Sequence, residues 1–188
     1  MKTIGSYRVP ESWSEVTLEE LIQVNAIIRG EKEDISRKIV NVFNPEVDVE
    51  KGTWDNFMSA FMGISEILDK KAEIGAELPK YVVNGEEFAI ILPEKLDLQE
   101  YIDVIALNEA DNVGNAPLML AVLTENRPEN PQKWAETIKK QVSVQTAMGN
   151  LAFFFTNLTK FIEDSPYYSQ ILQKMKENEA KTTKKRKK

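Results

Sequence analysis

The sequence of 188 residues contains no cysteine and no histidine. Without cysteine, the chain cannot form a disulfide, a thiolate metal site or a thiol nucleophile. Without histidine, it cannot use a Ser-His-Asp or Cys-His catalytic arrangement, bind zinc through imidazole, or shuttle protons with the side chain best suited to neutral pH. We therefore expect that the protein is not an enzyme and that it holds no metal and no cofactor.

Long apolar runs are also missing. No uninterrupted run of hydrophobic residues exceeds six, whereas a helix that spans a bilayer needs about 20. No basic segment followed by an apolar one opens the chain, as it would in a secretory signal, and we expect no contact with membranes. Hydrophobic residues make up 42% of the chain and charged residues 29%, which is typical of a globular protein with one ordinary domain or two small ones.

Charge is distributed unevenly along the chain. The net charge is −6, from 24 basic and 30 acidic residues, and residues 181–188 hold six of the basic residues and none of the acidic ones. Residues 1–180 therefore have 18 basic against 30 acidic residues, a net charge of −12. Phosphate groups should repel such an acidic body and attract the basic tail.

Three interpretations of the basic tail are open. Residues 181–188 can form a disordered, solvated end, because like charges without apolar residues cannot bury enough surface to become ordered. They can instead bind nucleic acid without sequence preference, or they can serve as a nuclear-localisation address or contact an acidic partner. The residues that would contact nucleic acid are Lys184, Lys185, Arg186, Lys187 and Lys188.

Hydrophobic residues recur at helical spacing over most of the chain, and polar residues mark where the helices begin. Thr17 with Glu20 three residues later is a capping-box pattern, and Thr53 and Asp97 are favourable N-caps. A short extended segment at residues 6–10 comes before the first of these helices. The pattern predicts helices over residues 18–30, 34–43, 54–68, 98–108, 116–123, 132–163 and 167–178.

One β-hairpin interrupts this helical pattern. Asn84-Gly85 stands between two apolar-rich runs, residues 80–83 and 86–92. Both residues tolerate the positive φ angles that a two-residue type I′ turn requires. The sequence therefore predicts a mainly α fold with a small β-hairpin element.

An internal repeat is suggested by an offset of 80 residues. Residues 18–26 match residues 98–106 at five of nine positions, and the same offset places Trp54 over Trp134. Two related halves, residues 1–78 and 79–180, would each contain a strand and three helices, with both tryptophans in the core. The alternative is that capped amphipathic helices simply look alike.

Three consecutive phenylalanines lie on the long helix predicted over residues 132–163. Their side chains project about 100° apart, so either this helix is buried all round or part of it meets another chain. A final amphipathic helix offers an apolar stripe that could dock on the body of the protein or on a partner. The candidate partner-binding residues are Phe153, Phe154, Tyr167 and Tyr168.

Two segments resemble a family of small proteins of tailed bacteriophages. Residues 9–18 read Val-Pro-Glu-Ser-Trp-Ser-Glu-Val-Thr-Leu, which is similar to the opening of that family. Residues 81–88, followed by residues 96–103, resemble its hairpin and its Gln-Tyr-Ile-Asp helix, although Glu100 separates Gln99 from Tyr101 here. The family comprises tail-assembly chaperones and minor virion components, and its shared motifs are caps and turns rather than catalytic residues.

This resemblance implies a non-enzymatic role in phage particle assembly. We expect a phage assembly or virion structural protein that acts through contacts with other phage proteins or with its own copies, in the virion or the host-cell cytoplasm. The alternative is a nucleic-acid-associated protein that uses its basic tail.

Overall fold

The computed structural model describes residues 1–30, 33–70 and 77–164. Within these residues the chain forms seven α-helices and two antiparallel two-stranded hairpins, which confirms a mainly α fold with a small β element. In chain order the elements are β1 (Lys2–Ile4), β2 (Tyr7–Val9), α1 (Leu18–Arg29), α2 (Ile35–Phe43), α3 (Trp54–Asp69), β3 (Lys80–Val83), β4 (Glu86–Ala89), α4 (Leu98–Asp111), α5 (Ala116–Val122), α6 (Pro131–Gln141) and α7 (Val144–Glu163).

Polar caps begin the helices where the sequence predicts. The Thr17 hydroxyl accepts a hydrogen bond from the backbone N–H of Glu20 at 3.2 Å, and the Glu20 carboxylate accepts one from the backbone N–H of Thr17 at 2.8 Å. Asp97 and Thr53 cap α4 and α3 in the same way, with one hydrogen bond each. These bonds satisfy N–H groups that have no partner inside the helix.

The predicted hairpin is present, with its turn at Asn84-Gly85. Both residues have positive φ angles, 52° and 81°, and Val83 pairs with Glu86 across the turn. The hairpin β1–β2, which turns at Gly5, was not predicted. Its strands are only three residues long, and so short a segment gives little alternation between apolar and polar residues to recognise.

Residues 132–163 form two helices, so the prediction of one continuous helix is wrong. Val142 and Ser143 have extended backbone, and the Ser143 hydroxyl caps α7 by accepting from the N–H of Thr146 at 3.2 Å. Ser143 also forms an antiparallel bridge with Thr17, the cap of α1. The backbone groups freed by the break are therefore paired with the other half of the chain.

The two halves begin with the same order of elements, a hairpin followed by two helices, before the second half adds two helices where the first has α3. The hairpins end at Val9 and Ala89, and the caps of α1 and α4 are Thr17 and Asp97, each pair 80 residues apart. A single cluster of buried hydrophobic residues includes members of both halves. The halves therefore share one core.

The correspondence continues to two buried polar residues just after α2 and α5. Asn44 donates to the carbonyl oxygen of Val40 at 3.0 Å, and Thr124 donates to that of Leu120 at 2.6 Å. Asn44 and Thr124 are again 80 residues apart. Each of the two residues also links the end of its helix to the hairpin of the same half. Asn44 donates a hydrogen bond to the carbonyl oxygen of Arg8 in β2, and Thr124 forms a backbone bridge with Ile90, which follows β4.

The tryptophan pair does not follow this correspondence. Trp134 is 5% exposed, as predicted, but Trp54 is 72% exposed, so the prediction that both lie in the core is wrong. The caps of their helices, Thr53 and Asn130, are 77 rather than 80 residues apart. This shift of three residues turns Trp54 outward and places Phe57 at the buried position that corresponds to Trp134.

Candidate protein-interaction surfaces

The three phenylalanines lie on the part of α7 that the protein shields best. Residues 142–158 are all buried or half-buried, whereas Phe161 in the last turn of α7 is 49% exposed. Phe154 is buried in the chain's own core, and its ring lies edge-on to Phe155 with centroids 5.4 Å apart. Phe153 is half-buried against the same core. Phe155 is half-buried as well, so Phe153 and Phe155 keep some surface that a partner could touch, whereas Phe154 does not.

The other candidate residues of the sequence lie outside the described part of the chain. They are Tyr167, Tyr168, Lys184, Lys185, Arg186, Lys187 and Lys188.

An apolar stripe that sequence reasoning missed runs along α3. Trp54, Met58 and Met62 follow one another at intervals of four residues, which places them on one face of the helix. Trp54 is 72% exposed, Met62 is 66% exposed and Met58 is half-buried. We call these three residues the α3 stripe. The opposite face of α3 is buried in the core, so the helix is apolar on both faces.

A cleft of about 480 Å³ opens beside the α3 stripe. The Trp54 ring lies next to Phe57, with centroids 5.7 Å apart, and forms one wall. Asp34, whose φ of 54° lies in the left-handed region, and Arg37 bring charge of both signs to the same cleft. An aromatic wall with a carboxylate and a guanidinium nearby is suited to receive a side chain of another protein.

A second apolar stripe runs along α4. Leu98 is 74% exposed, Ile102 is 49% exposed and Ala106 is exposed, again at intervals of four residues. We call these three residues the α4 stripe. Val104 is the one residue of α4 that is buried, and Tyr101, Ile105 and Leu107 pack partly buried against the core. The described part of the chain therefore covers one face of α4 and leaves the α4 stripe open.

A groove of about 330 Å³ continues the α4 stripe toward α5. Leu107 lines it from α4, and Leu118 and Val122 line it from α5. The groove therefore extends the α4 stripe into a broader apolar surface.

The surroundings of the α4 stripe are strongly acidic. Residues 86–111 contain eight carboxylates and one basic residue, Lys95. Lys95 already pairs with Glu125 at 3.1 Å. Three of the carboxylates pair with basic residues from elsewhere in the chain: Glu87 with Lys80, Glu100 with Arg127 and Asp111 with Arg29. The other five are Glu86, Glu94, Asp97, Asp103 and Glu109. At the far end of α4, the backbone N–H of Gly114, together with the guanidinium of Arg29, lowers the pKa of Asp111 below its ordinary value. Carboxylates concentrated on one surface favour a basic partner.

Residues 1–30, 33–70 and 77–164, which the structure describes, contain no group of three acidic side chains that could hold a metal ion. Nor do they include a helix of the length and apolar character needed to cross a membrane.

Comparisons of the chain with protein-family models, curated protein sequences and solved structures find no match. The evidence on its function therefore comes from its own residues. The α3 and α4 stripes do leave a signal in the sequence, since each is an apolar series at intervals of four. The buried faces of other helices show the same spacing, however. Only tertiary packing decides whether such a series is buried or exposed.

Proposed function

We propose that this chain is a non-enzymatic bacteriophage assembly or virion structural protein that acts through protein–protein contacts. The observation that carries the proposal is the α3 stripe, in which Trp54 exposes 72% of its surface beside a cleft. Tryptophan is one of the three residue types, with tyrosine and arginine, that are enriched among the residues that dominate binding energy at protein interfaces. The resemblance of residues 9–18 and 81–88 to small tailed-phage proteins supports the phage assignment.

The chemistry of the α3 stripe suggests how the contact is made. Met58 and Met62 have flexible, polarisable side chains that adapt to irregular apolar surfaces. Trp54 supplies a rigid ring, and the cleft beside it can accept a side chain of the partner. We propose that the partner is another structural or assembly protein of the same particle, which the chain meets in the host cytoplasm or in the virion.

Removing the α3 stripe should abolish this contact without unfolding the chain. In co-expression with the other particle proteins of the same phage, the wild-type chain should form a complex that survives size-exclusion chromatography. The double variant Trp54→Ala with Met62→Ala should form no such complex, because it removes the two exposed side chains of the α3 stripe. Val82→Ala is the matched control, since Val82 is 58% exposed on β3 and lies outside the stripe.

Two results would contradict the proposal. One is a wild-type chain that binds none of the particle proteins. The other is a double variant that binds them as well as Val82→Ala does. Thermal unfolding of all three proteins shows whether each variant keeps its fold.

A second function is weak binding of nucleic acid through residues 181–188. The observation that favours it is six basic residues without an acidic one in that segment. Such binding is compatible with a virion component that lies near packaged DNA. Its test is the salt dependence of DNA binding by the full-length chain and by a chain that lacks residues 181–188.

A further inference from the structure

The α4 stripe is an apolar surface that the described residues leave open. Leu98 and Ile102 project from a helix with one buried residue, and the groove beside them is lined by Leu107, Leu118 and Val122. A contiguous apolar surface next to a groove usually has an occupant. The occupant should be basic, because residues 86–111 have one lysine and eight carboxylates, and five carboxylates remain after the pairs with Arg29, Lys80 and Arg127.

The chain itself contains a segment that is both basic and able to present an apolar helix face. Residues 165–188 follow the last residue that the structure describes, and they include eight basic and two acidic side chains. Their apolar residues recur at helical spacing. These residues are Tyr167, Tyr168, Ile171, Leu172 and Met175.

The position and length of this segment allow it to reach α4. It begins directly after α7, and α7 packs against the short 3₁₀ turn Pro93–Lys95, which leads into α4. The segment has 24 residues, which would extend about 36 Å as a helix and about 80 Å when fully stretched. The apolar residues and the basic tail can therefore lie along α4 at the same time.

We propose that residues 165–188 dock on the α4 stripe of the same molecule. The apolar residues of the segment cover Leu98, Ile102 and the groove, and its lysines lie along the flanking carboxylates. A segment tethered to the body has a high effective concentration at its site, which favours its own molecule over a second copy. In this arrangement the α4 stripe is covered while the α3 stripe stays open to partners.

Hydrogen exchange in the full-length chain tests this contact. Backbone amides of residues 167–178 should exchange slowly in the wild type and at least about tenfold faster in Leu98→Ser with Ile102→Ser, because docked segments exchange through opening. The matched control is Met62→Ser with Val82→Ser, which alters two exposed apolar residues away from α4 and should leave this exchange unchanged.

Each outcome of that experiment decides the proposal. Unprotected amides in residues 167–178 of the wild type would overturn it, and so would equal exchange in the α4 variant and the wild type. Loss of protection in the control variant would show that the segment docks elsewhere. Protection that grows with protein concentration would assign the contact to a second copy and overturn the intramolecular form.

The absence of cysteine allows a second, independent measurement. In the variant Ile102→Cys with Leu172→Cys, the two introduced thiols are the only ones in the chain. Mild oxidation should join them within the monomer, whereas Met62→Cys with Leu172→Cys should stay reduced. Equal bridging in both variants, or bridging only between two chains, would contradict docking on α4.

Discussion

At the scale of single residues, Trp54 and Trp134 occupy opposite environments. The indole N–H of Trp134 donates to the hydroxyl of Tyr81 at 2.9 Å, and that hydroxyl lies 2.5 Å from the hydroxyl oxygen of Thr124. Burial raises the pKa of Tyr81, so its hydroxyl stays protonated. The hydroxyl therefore joins Trp134 and Thr124 in one chain of buried hydrogen bonds. Trp54, in contrast, contacts Phe57 and is otherwise open.

This difference predicts unequal costs for the same substitution. Trp134→Ala should lower the free energy of unfolding by about 3–5 kcal/mol, because it leaves a cavity in the core. Trp54→Ala should change that free energy by no more than about 0.5 kcal/mol, as is usual for an exposed residue. Urea denaturation of both variants measures the two costs. Similar losses in the two variants would show that Trp54 is buried in solution.

At the scale of elements, the β3–β4 turn offers a clean measurement of backbone strain. Gly85 has a φ of 81°, and a Cβ atom placed on it would meet no atom within 4 Å. A side chain at this position would therefore make no steric clash with its neighbours. Any loss of stability on substitution comes from the positive φ angle, which residues other than glycine adopt only at a cost in free energy.

Gly85→Val should destabilise the protein by about 1–2 kcal/mol, because a β-branched residue avoids the left-handed region. Asn84→Gly is the matched control, since glycine accepts the φ of 52° at that position, and its effect should be small. The midpoints of urea unfolding compare the two. A valine variant as stable as the control would mean that the turn has another conformation.

Element boundaries differ in how well local sequence determines them. The starts of α1, α3 and α4 were predictable because Thr17, Thr53 and Asp97 each satisfy a backbone N–H through their own side chains. The break between α6 and α7 was not predictable from local sequence, although Ser143 is a favourable N-cap. Its extended backbone is stabilised by a bridge to Thr17, which is distant in sequence.

At the scale of the whole molecule, the charge distribution predicts how the chain meets nucleic acid. If residues 181–188 bind DNA, at most six phosphates are neutralised. The logarithm of the binding constant should then fall against the logarithm of salt concentration with a slope of about −5 or shallower, from about −0.9 per phosphate. The body, with its net charge of −12, weakens the contact.

Gel-shift titration at two salt concentrations measures this slope for the full-length chain and for a truncated chain that lacks residues 181–188. The truncated chain should fold normally and lose the salt-dependent binding. Equal binding by the two forms would exclude the tail as the nucleic-acid contact.

The sequence by itself determined the fold class, the first turns of several helices and the Asn84-Gly85 hairpin, because helix periodicity, side-chain caps and positive φ preferences act over a few residues. It also determined the contrast between an acidic body and a basic tail. Only the tertiary structure decided that residues 142–158 are shielded, that Trp54 is open and that the described residues leave the α4 stripe exposed. These outcomes depend on which helix face meets the shared core, and packing contacts between residues far apart in the chain set that choice.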